Sequence, residues 1–266
     1  MSLRVAGLAL RSTLDADANR AAAVRAVHEA ADDGARLVVL PEYAACFDPR
    51  GVGPAQAEAP DGPFVQALAE VAAARSLVVL AGTVVAAEVP DRAVNLVVAV
   101  GPQGLLGSYR KVHLYDAFGQ RESDRFVGGD PTVAPLVVPV DGIAVGVITC
   151  YDLRFPEAAR RLIDAGAGLI VVPAAWAAGE GKADHWRTLL RARAIENTAY
   201  VLGVPMDGPG VTGDPILVDP AGRVLGEALG RGQRSVLGDV DPAVLAAVRA
   251  ANPSLVNRRY RTVPRD

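Results

Sequence analysis

The stretch GVITCYDLRFPEAARRLIDAGAGLIVVPAAW (146–176) carries three signals of one architecture in a short span. An apolar run, IAVGVITC (143–150), closes on Cys150; a helical pattern opens at FPEAARRLIDAG, with Pro156 as a first-turn residue; a second apolar run, GLIVVPAAW (168–176), follows. Proline suits the first helical turn because its missing N–H has no intrahelical partner there. Near-continuous Val/Ile/Leu runs mark strands buried on both faces. Strand, helix, strand in this order points to an α/β protein.

The same alternation extends in both directions. RLVVLPE (36–42), SLVVLAG (76–82), NLVVAV (95–100) and AYVLGVP (199–205) read as further buried strands. DADANRAAAVRAVHEAADDG has a capping Asp15, a Val24/Val27/Ala31 stripe and Gly34 just past its end, a complete helix signature. A second helix is expected over 61–75, with Phe64, Leu68 and Val71 on one face, and another over about 182–197, with Trp186, Leu189 and Leu190 facing inward. Hairpin signals are interleaved at VGPQGLL (100–106), VPVDGIAV (138–145) and LVDPAGRVL (217–225), so the sheets are expected to be mixed. No repeat or linker divides the chain, which reads as a single domain over 1–266. FDPRGVGPAQAEAPDGP (47–63) is a long irregular loop, and 252–266 an extended C-terminal tail that frays or lies across another surface.

With 266 residues, 51% of them hydrophobic, the chain can bury a large core. A net charge of −3, with the arginines scattered among 30 acids, offers no basic field for a phosphate backbone; no nucleic-acid partner is expected. No run approaches the length needed to span a bilayer, so no membrane partner is expected either. Cys46 and Cys150 lie far apart without metal-ligand spacing, so no metal is expected, and a reducing, cytoplasmic setting fits two free thiols.

Only two of the 27 basic residues are lysines, Lys111 and Lys182. A chain that uses arginine almost everywhere keeps lysine where a planar guanidinium fork will not substitute for a compact ammonium. Lys111 follows the strand-like LLGSYR, whereas Lys182 lies in the polar GEGKADHW and is expected on the surface. Glu42 closes LVVLPE and Cys150 closes IAVGVITC, so three polar groups stand where α/β folds place their sites, at strand ends. Singly, each has an ordinary structural reading: a turn acid, a solvated charge, an inert small hydrophobe. Converged, they make a nucleophile. Glu42 would take the thiol proton, Lys111 would favour thiolate, and Lys111 with the Tyr151 backbone N–H would meet the negative charge developing on a substrate oxygen or nitrogen.

LVVLPE, YRKVHLYD and GVITCYDLRFPEAARRLIDAGAGLIVVPAAW together resemble the three signature regions of the nitrilase, or carbon-nitrogen hydrolase, superfamily, and the likeness continues through HWRTLLRARAIENTAYV (185–201). The resemblance implies a four-layer α-β-β-α sandwich with two mixed β-sheets, a homodimer or higher homo-oligomer, no cofactor, and a Glu42–Lys111–Cys150 triad that forms a cysteine thioester. It also implies a second glutamate, matched by Glu122 in GQRESDRF. Within the superfamily, YRKVHLYD and CYDLRFPE look most like the omega-amidase and deaminated-glutathione amidase branch. There, an arginine matching Arg154 pairs with a substrate carboxylate; its structural alternative is a scaffold pair with Asp152 or Glu157. Trp176 and Phe118 are candidates for lining the acyl pocket. The expected substrate is a small linear amide bearing a carboxylate, with nitrile or N-carbamoyl cleavage by the same triad as the alternative. A Cys-His hydrolase is the mechanistic rival, with His113 its one histidine near the motifs; a structural hydrogen bond is the expected role of that side chain.

Overall fold

The computed structural model describes residues 2–228 and 235–265. In its first half, β1 (Leu3–Leu8), α1 (Ala16–Asp32), β2 (Leu37–Val39), α2 (Pro63–Arg75) and β3 (Val78–Ala86) lead into a meander of β4 (Ala93–Gly101) and β5 (Gly104–Arg110). The second half runs β6 (Val137–Val140), β7 (Ile143–Val147), α3 (Pro156–Asp164), β8 (Leu169–Ala174), α4 (Lys182–Asn197), β9 (Tyr200–Pro205), β10 (Ile216–Val218), β11 (Val224–Glu227), β12 (Ser235–Val240) and α5 (Pro242–Ala251).

The strands form two six-stranded mixed sheets, ordered β12-β1-β2-β3-β4-β5 and β11-β10-β9-β8-β7-β6. In the first, β1, β2 and β3 are parallel and the other neighbours antiparallel; in the second, β7, β8 and β9 are parallel in the same way. The two sheets therefore repeat one pattern of neighbours, although β6 leads directly into β7 whereas β12 returns from the far end of the chain to β1. Within each, helices cross between the parallel strands, as that pairing requires.

The double-sided apolar runs explain the layering. Leu37, Val39, Val78 and Leu80 pack with Val145, Val147, Leu169 and Val171 between the sheets. Their alternate neighbours Val38, Leu40, Val79 and Ala81 pack outward with Ala23, Val27, Phe64 and Leu68 of α1 and α2. Ile170 and Val172 face Leu162, Trp186 and Leu190 of α3 and α4. The order is helices, sheet, sheet, helices: the expected four-layer sandwich.

Local details differ from the sequence reading in three places. The buried stripe of α1 is Asn19, Ala23, Val27 and Ala30, one residue round from the expected face, with Val24 and Ala31 half-buried. The run VAGLAL lies in and just beyond β1, and SVLGDV with PAVLAAVRAA supplies β12 and α5, three elements the patterning did not reveal. Beyond Ala251 the described residues form neither helix nor strand. Their path lies on the chain's own surface: Leu255 packs against the outer core and Arg258 pairs with Asp164 of α3 at 2.6 Å. Asp266, the last residue of the expected tail, lies outside the described residues.

Candidate active site

Glu42, Lys111 and Cys150 sit just past the C-terminal ends of β2, β5 and β7, and all three are buried, at 1%, 2% and 8% exposure. Lys111 Nζ donates to Glu42 Oε1 at 2.9 Å and to Glu122 Oε2 at 2.8 Å. Glu42 Oε2 accepts from the Ala175 backbone N–H at 2.7 Å, reaching across to the end of β8. Glu122, in a short 3-10 turn, also accepts from the Tyr115 N–H (2.6 Å) and the Tyr43 hydroxyl (2.8 Å). An ammonium between two buried carboxylates leaves the cluster one negative charge in excess.

Burial and that excess act on Cys150 in the same direction. Burial pushes the Cys150 thiol well above its usual value, the Glu42 carboxylate and its hydrogen bond push it further, and Lys111 only partly offsets them. The ammonium alone was expected to favour thiolate; with two carboxylates beside it, the resting sulfur is a neutral thiol. Burial also raises Tyr43, whereas the two carboxylates raise Lys111 despite its burial. Lys111 is the main charge that lowers Glu122 against the opposing effect of burial. Lys111 is thus held as an ammonium and Glu122 as a carboxylate.

Two residues that sequence reasoning missed tie the cluster together. Asn95 of β4 donates through Nδ2 to Glu42 Oε1 (2.7 Å) and the Tyr43 hydroxyl (2.9 Å), and its Oδ1 is buried without a partner. The available signal was a lone amide inside an apolar strand. Tyr43 and Cys150 both have positive φ, 57° and 49°, a costly conformation for residues with a Cβ. Gly82 of β3 permits the first: a Cβ there would lie 2.5 Å from Glu42 Cα.

The Cys150 segment is a 3-10 turn, Cys150–Arg154, clamped by Asp152. This fully buried carboxylate accepts from the Tyr109 hydroxyl (2.7 Å), the His113 N–H (3.0 Å) and the Thr149 N–H (3.1 Å), and lies 2.7 Å from His113 Nδ1. His113 stacks on Phe155 with ring centroids 3.7 Å apart, so it belongs to the clamp, as the structural reading expected. Tyr151 occupies the first turn of this segment, where a backbone N–H lacks an intrahelical acceptor.

Cys150 opens onto a narrow cleft lined by Tyr115, Tyr151, Arg154, Ala175, Trp176 and Lys182 among others. Arg154 forms neither of the expected scaffold pairs, with Asp152 or with Glu157: among the described residues no carboxylate lies within ion-pairing distance of it. Its Cζ stands 5.0 Å from the Trp176 ring and 5.5 Å from the Phe118 ring. Trp176 is buried in the cleft wall, whereas Phe118, 66% exposed, stands at the rim and does not line the cleft. Lys182, expected on the surface, is 6% exposed and faces the cleft. Residues remote in sequence, Tyr115 and Phe118, cover it.

A buried Glu–Lys–Glu cluster thus stands beside a strained cysteine at a small cleft. Residues 4–250 match the carbon-nitrogen hydrolase family, and the chain belongs to it. It is 36% identical to the deaminated glutathione amidase of Escherichia coli O157:H7 over 87% of this chain and 88% of that one, and 33% identical to the omega-amidase NIT2 of Homo sapiens over 97% and 95%. Among solved structures it is similar to XC1258 from Xanthomonas campestris, a CN-hydrolase superfamily protein with an arsenic adduct in the active site: TM-score 0.86, 27% identity, 99% of this chain and 100% of that one. Among the described residues, no helix is long and apolar enough to cross a membrane.

Proposed function

We propose that this carbon-nitrogen hydrolase is an amidase that cleaves a small linear amide bearing a carboxylate, through a thioester on Cys150. The observation that carries the reading is the Glu42 carboxylate, which acts electrostatically on Cys150 and is held by Lys111 Nζ at 2.9 Å. As Cys150 Sγ attacks the amide carbon, Glu42 accepts the thiol proton, so the thiolate exists only as the new bond forms. The carbonyl oxygen becomes an oxyanion, met by the Lys111 ammonium and the Tyr151 N–H. Glu42 then passes its proton to the departing nitrogen, ammonia leaves, and a thioester remains. Water entering the vacated position gives a proton to Glu42 and attacks the thioester. Collapse releases the acid, and the proton returns to sulfur. Glu122 keeps Lys111 charged and fixed through the cycle.

Support for the thiol comes from the arsenic adduct of the Xanthomonas relative, since arsenic is a soft centre that bonds sulfur. Support for the carboxylate comes from the name of the Escherichia coli relative, whose substrate is an anion, and from Arg154 facing the cleft without an acid of its own. The narrow cleft, with Trp176 in its wall, suits a short acyl chain. We infer a homodimer from the apolar side chains Val256, Tyr260 and Val263, which stand 82%, 92% and 72% exposed in the tail. Two free cysteines agree with a cytoplasmic setting, and one domain over the whole chain with the shared core between the sheets.

The test is ammonia release across amides, nitriles and N-carbamoyl compounds, with intact-protein mass measured on quenched reactions. Amides should turn over, with a Cys150-dependent acyl adduct. Turnover of nitriles or carbamoyl compounds alone would move the assignment to those substrates, and full activity of Cys150→Ala would sink the mechanism.

A further inference from the structure

Lys111 and Lys182 are both buried, but they are held in opposite ways. Lys111 has two carboxylates against it. Among the described residues Lys182 has none within ion-pairing distance; its Nζ contacts the Tyr115 hydroxyl at 2.9 Å and stands 3.4 Å from the centroid of the Phe118 ring. An ammonium taken out of water without a counter-ion is costly. Two further features raise that cost. Lys182 is the first residue of α4, where the helix dipole is positive and repels a cation. Arg154 lies near enough to push the Lys182 ammonium toward neutrality, adding to the effect of burial.

Arg154 is in a similar position. Its Nε is buried without a hydrogen-bond partner, its Nη2 has only a long 3.4 Å approach to His185 Nδ1, and its charge rests over Phe118 and Trp176. Phe118 presents its ring to both cations from a backbone at φ 56°, a strained conformation for phenylalanine. Aromatic faces thus replace a counter-ion in the free protein. Each of the three unfavourable terms changes sign when an anion enters the cleft: the bare ammonium, the second cation and the helix N-terminus all attract it.

We propose that Lys182 is a specificity-determining charge for the substrate carboxylate, forming with the neighbouring Arg154 a two-cation seat. This rests on the amidase reading above and deepens it. Arg154 supplies the planar fork and Lys182 the point charge. Phe118 covers Lys182 from the rim, and the seat shares one cleft with Cys150, as an ω-amide of a short carboxylic acid requires.

The experiment compares kcat/KM for two pairs of matched amides, succinamate against butyramide and glutaramate against valeramide, in wild type, Lys182→Met and Lys182→Gln. Wild type should prefer the anionic member, and each variant should lower that preference by about 30-fold or more, mainly through KM, as loss of one partner of a buried charge pair does. An unchanged preference in folded variants overturns the proposal, as does a wild type that turns over both members equally well. Absence of ammonia from every amide would instead overturn the amidase reading. A second measurement needs only wild type: glutarate should protect Cys150 from iodoacetamide at about tenfold lower concentration than butyrate, because its second carboxylate meets the seat. Equal protection counts against the seat even where the variants fail to fold.

Discussion

Glu42 reaches across the seam between the two sheets: its Oε2 accepts the backbone N–H of Ala175 at 2.7 Å, while its Oε1 accepts Lys111 Nζ at 2.9 Å. Both oxygens are committed to donors, so an amide in place of the carboxylate must turn an NH2 toward one of them. Glu42→Gln should cost roughly 1–3 kcal/mol of stability and lower kcat/KM by about 10³-fold. It should also lower the thiol pKa of Cys150, because the removed carboxylate is the largest charge holding it up. Thiolate absorbance near 240 nm against pH checks this; a pKa at or above wild type would show that Glu42 does not govern the sulfur.

Lys111→Met leaves Glu42 and Glu122 buried side by side without their cation and should cost about 3–5 kcal/mol at pH 7. The sign of the pH dependence should also reverse. In wild type, Glu122 is lowered below its ordinary 4.5, so its contribution is present above that pH and lost as pH falls through the folded value. Lys111 is raised above 10.5, so its contribution is present below 10.5 and lost as pH rises through its folded value; the raised thiol begins the alkaline loss near 9. In Lys111→Met the carboxylates are raised, and acidification stabilises. Urea midpoints at pH 7 and pH 5 should therefore converge for the two proteins on the acid side; a constant difference would contradict the charge argument.

Asp152→Asn keeps one acceptor oxygen where four donor groups of Tyr109, His113 and Thr149 now converge. A loss of roughly 2–4 kcal/mol is expected. Since the clamp positions the Cys150 turn without touching substrate, kcat should fall about 10–100-fold with KM little changed. A KM effect alone would place Asp152 at the substrate instead.

Gly82→Ala drives a methyl group into backbone, 2.5 Å from Glu42 Cα and 2.6 Å from the Tyr43 nitrogen, and no rotamer relieves it. The expected cost is about 1–3 kcal/mol in stability, with kcat reduced about 100-fold by displacement of Glu42. Thermal melts and steady-state kinetics report both; wild-type turnover would mean that the β2–β3 segment yields without moving the carboxylate.

The four layers and the meeting of Glu42, Lys111 and Cys150 were legible because their signals are local. Apolar runs buried on both faces mark the parallel strands, Glu42 and Cys150 follow two of them, and Lys111 stood out by composition. Lys182 was illegible for the opposite reason. Its sequence neighbours, Gly179, Glu180 and Gly181, form the polar turn that opens α4, and its cover comes from the loop holding Tyr115 and Phe118. Composition did flag it as one of two lysines among arginines, but the neighbouring residues pointed outward. Strand β12 was missed because SVLGDV is only partly buried, and α5 because none of its residues is buried, leaving a weak pattern in both. The state of the thiol could not be read from one cation; it depends on burial first and then on the carboxylates the fold gathers around it.

The repeated strand pattern of the two sheets divides the site between the halves of the chain. One half brings Glu42, Lys111 and Glu122, the proton carrier, its cation and their partner in the proposed mechanism; the other brings the sulfur, the Ala175 amide and the cations of the cleft. Catalysis is therefore a gauge of how the layers sit on one another: a slip of one sheet along the other by a fraction of an ångström separates base from nucleophile while each half keeps its own hydrogen bonds. On warming, turnover should fade before the melting transition, as alignment is lost ahead of structure.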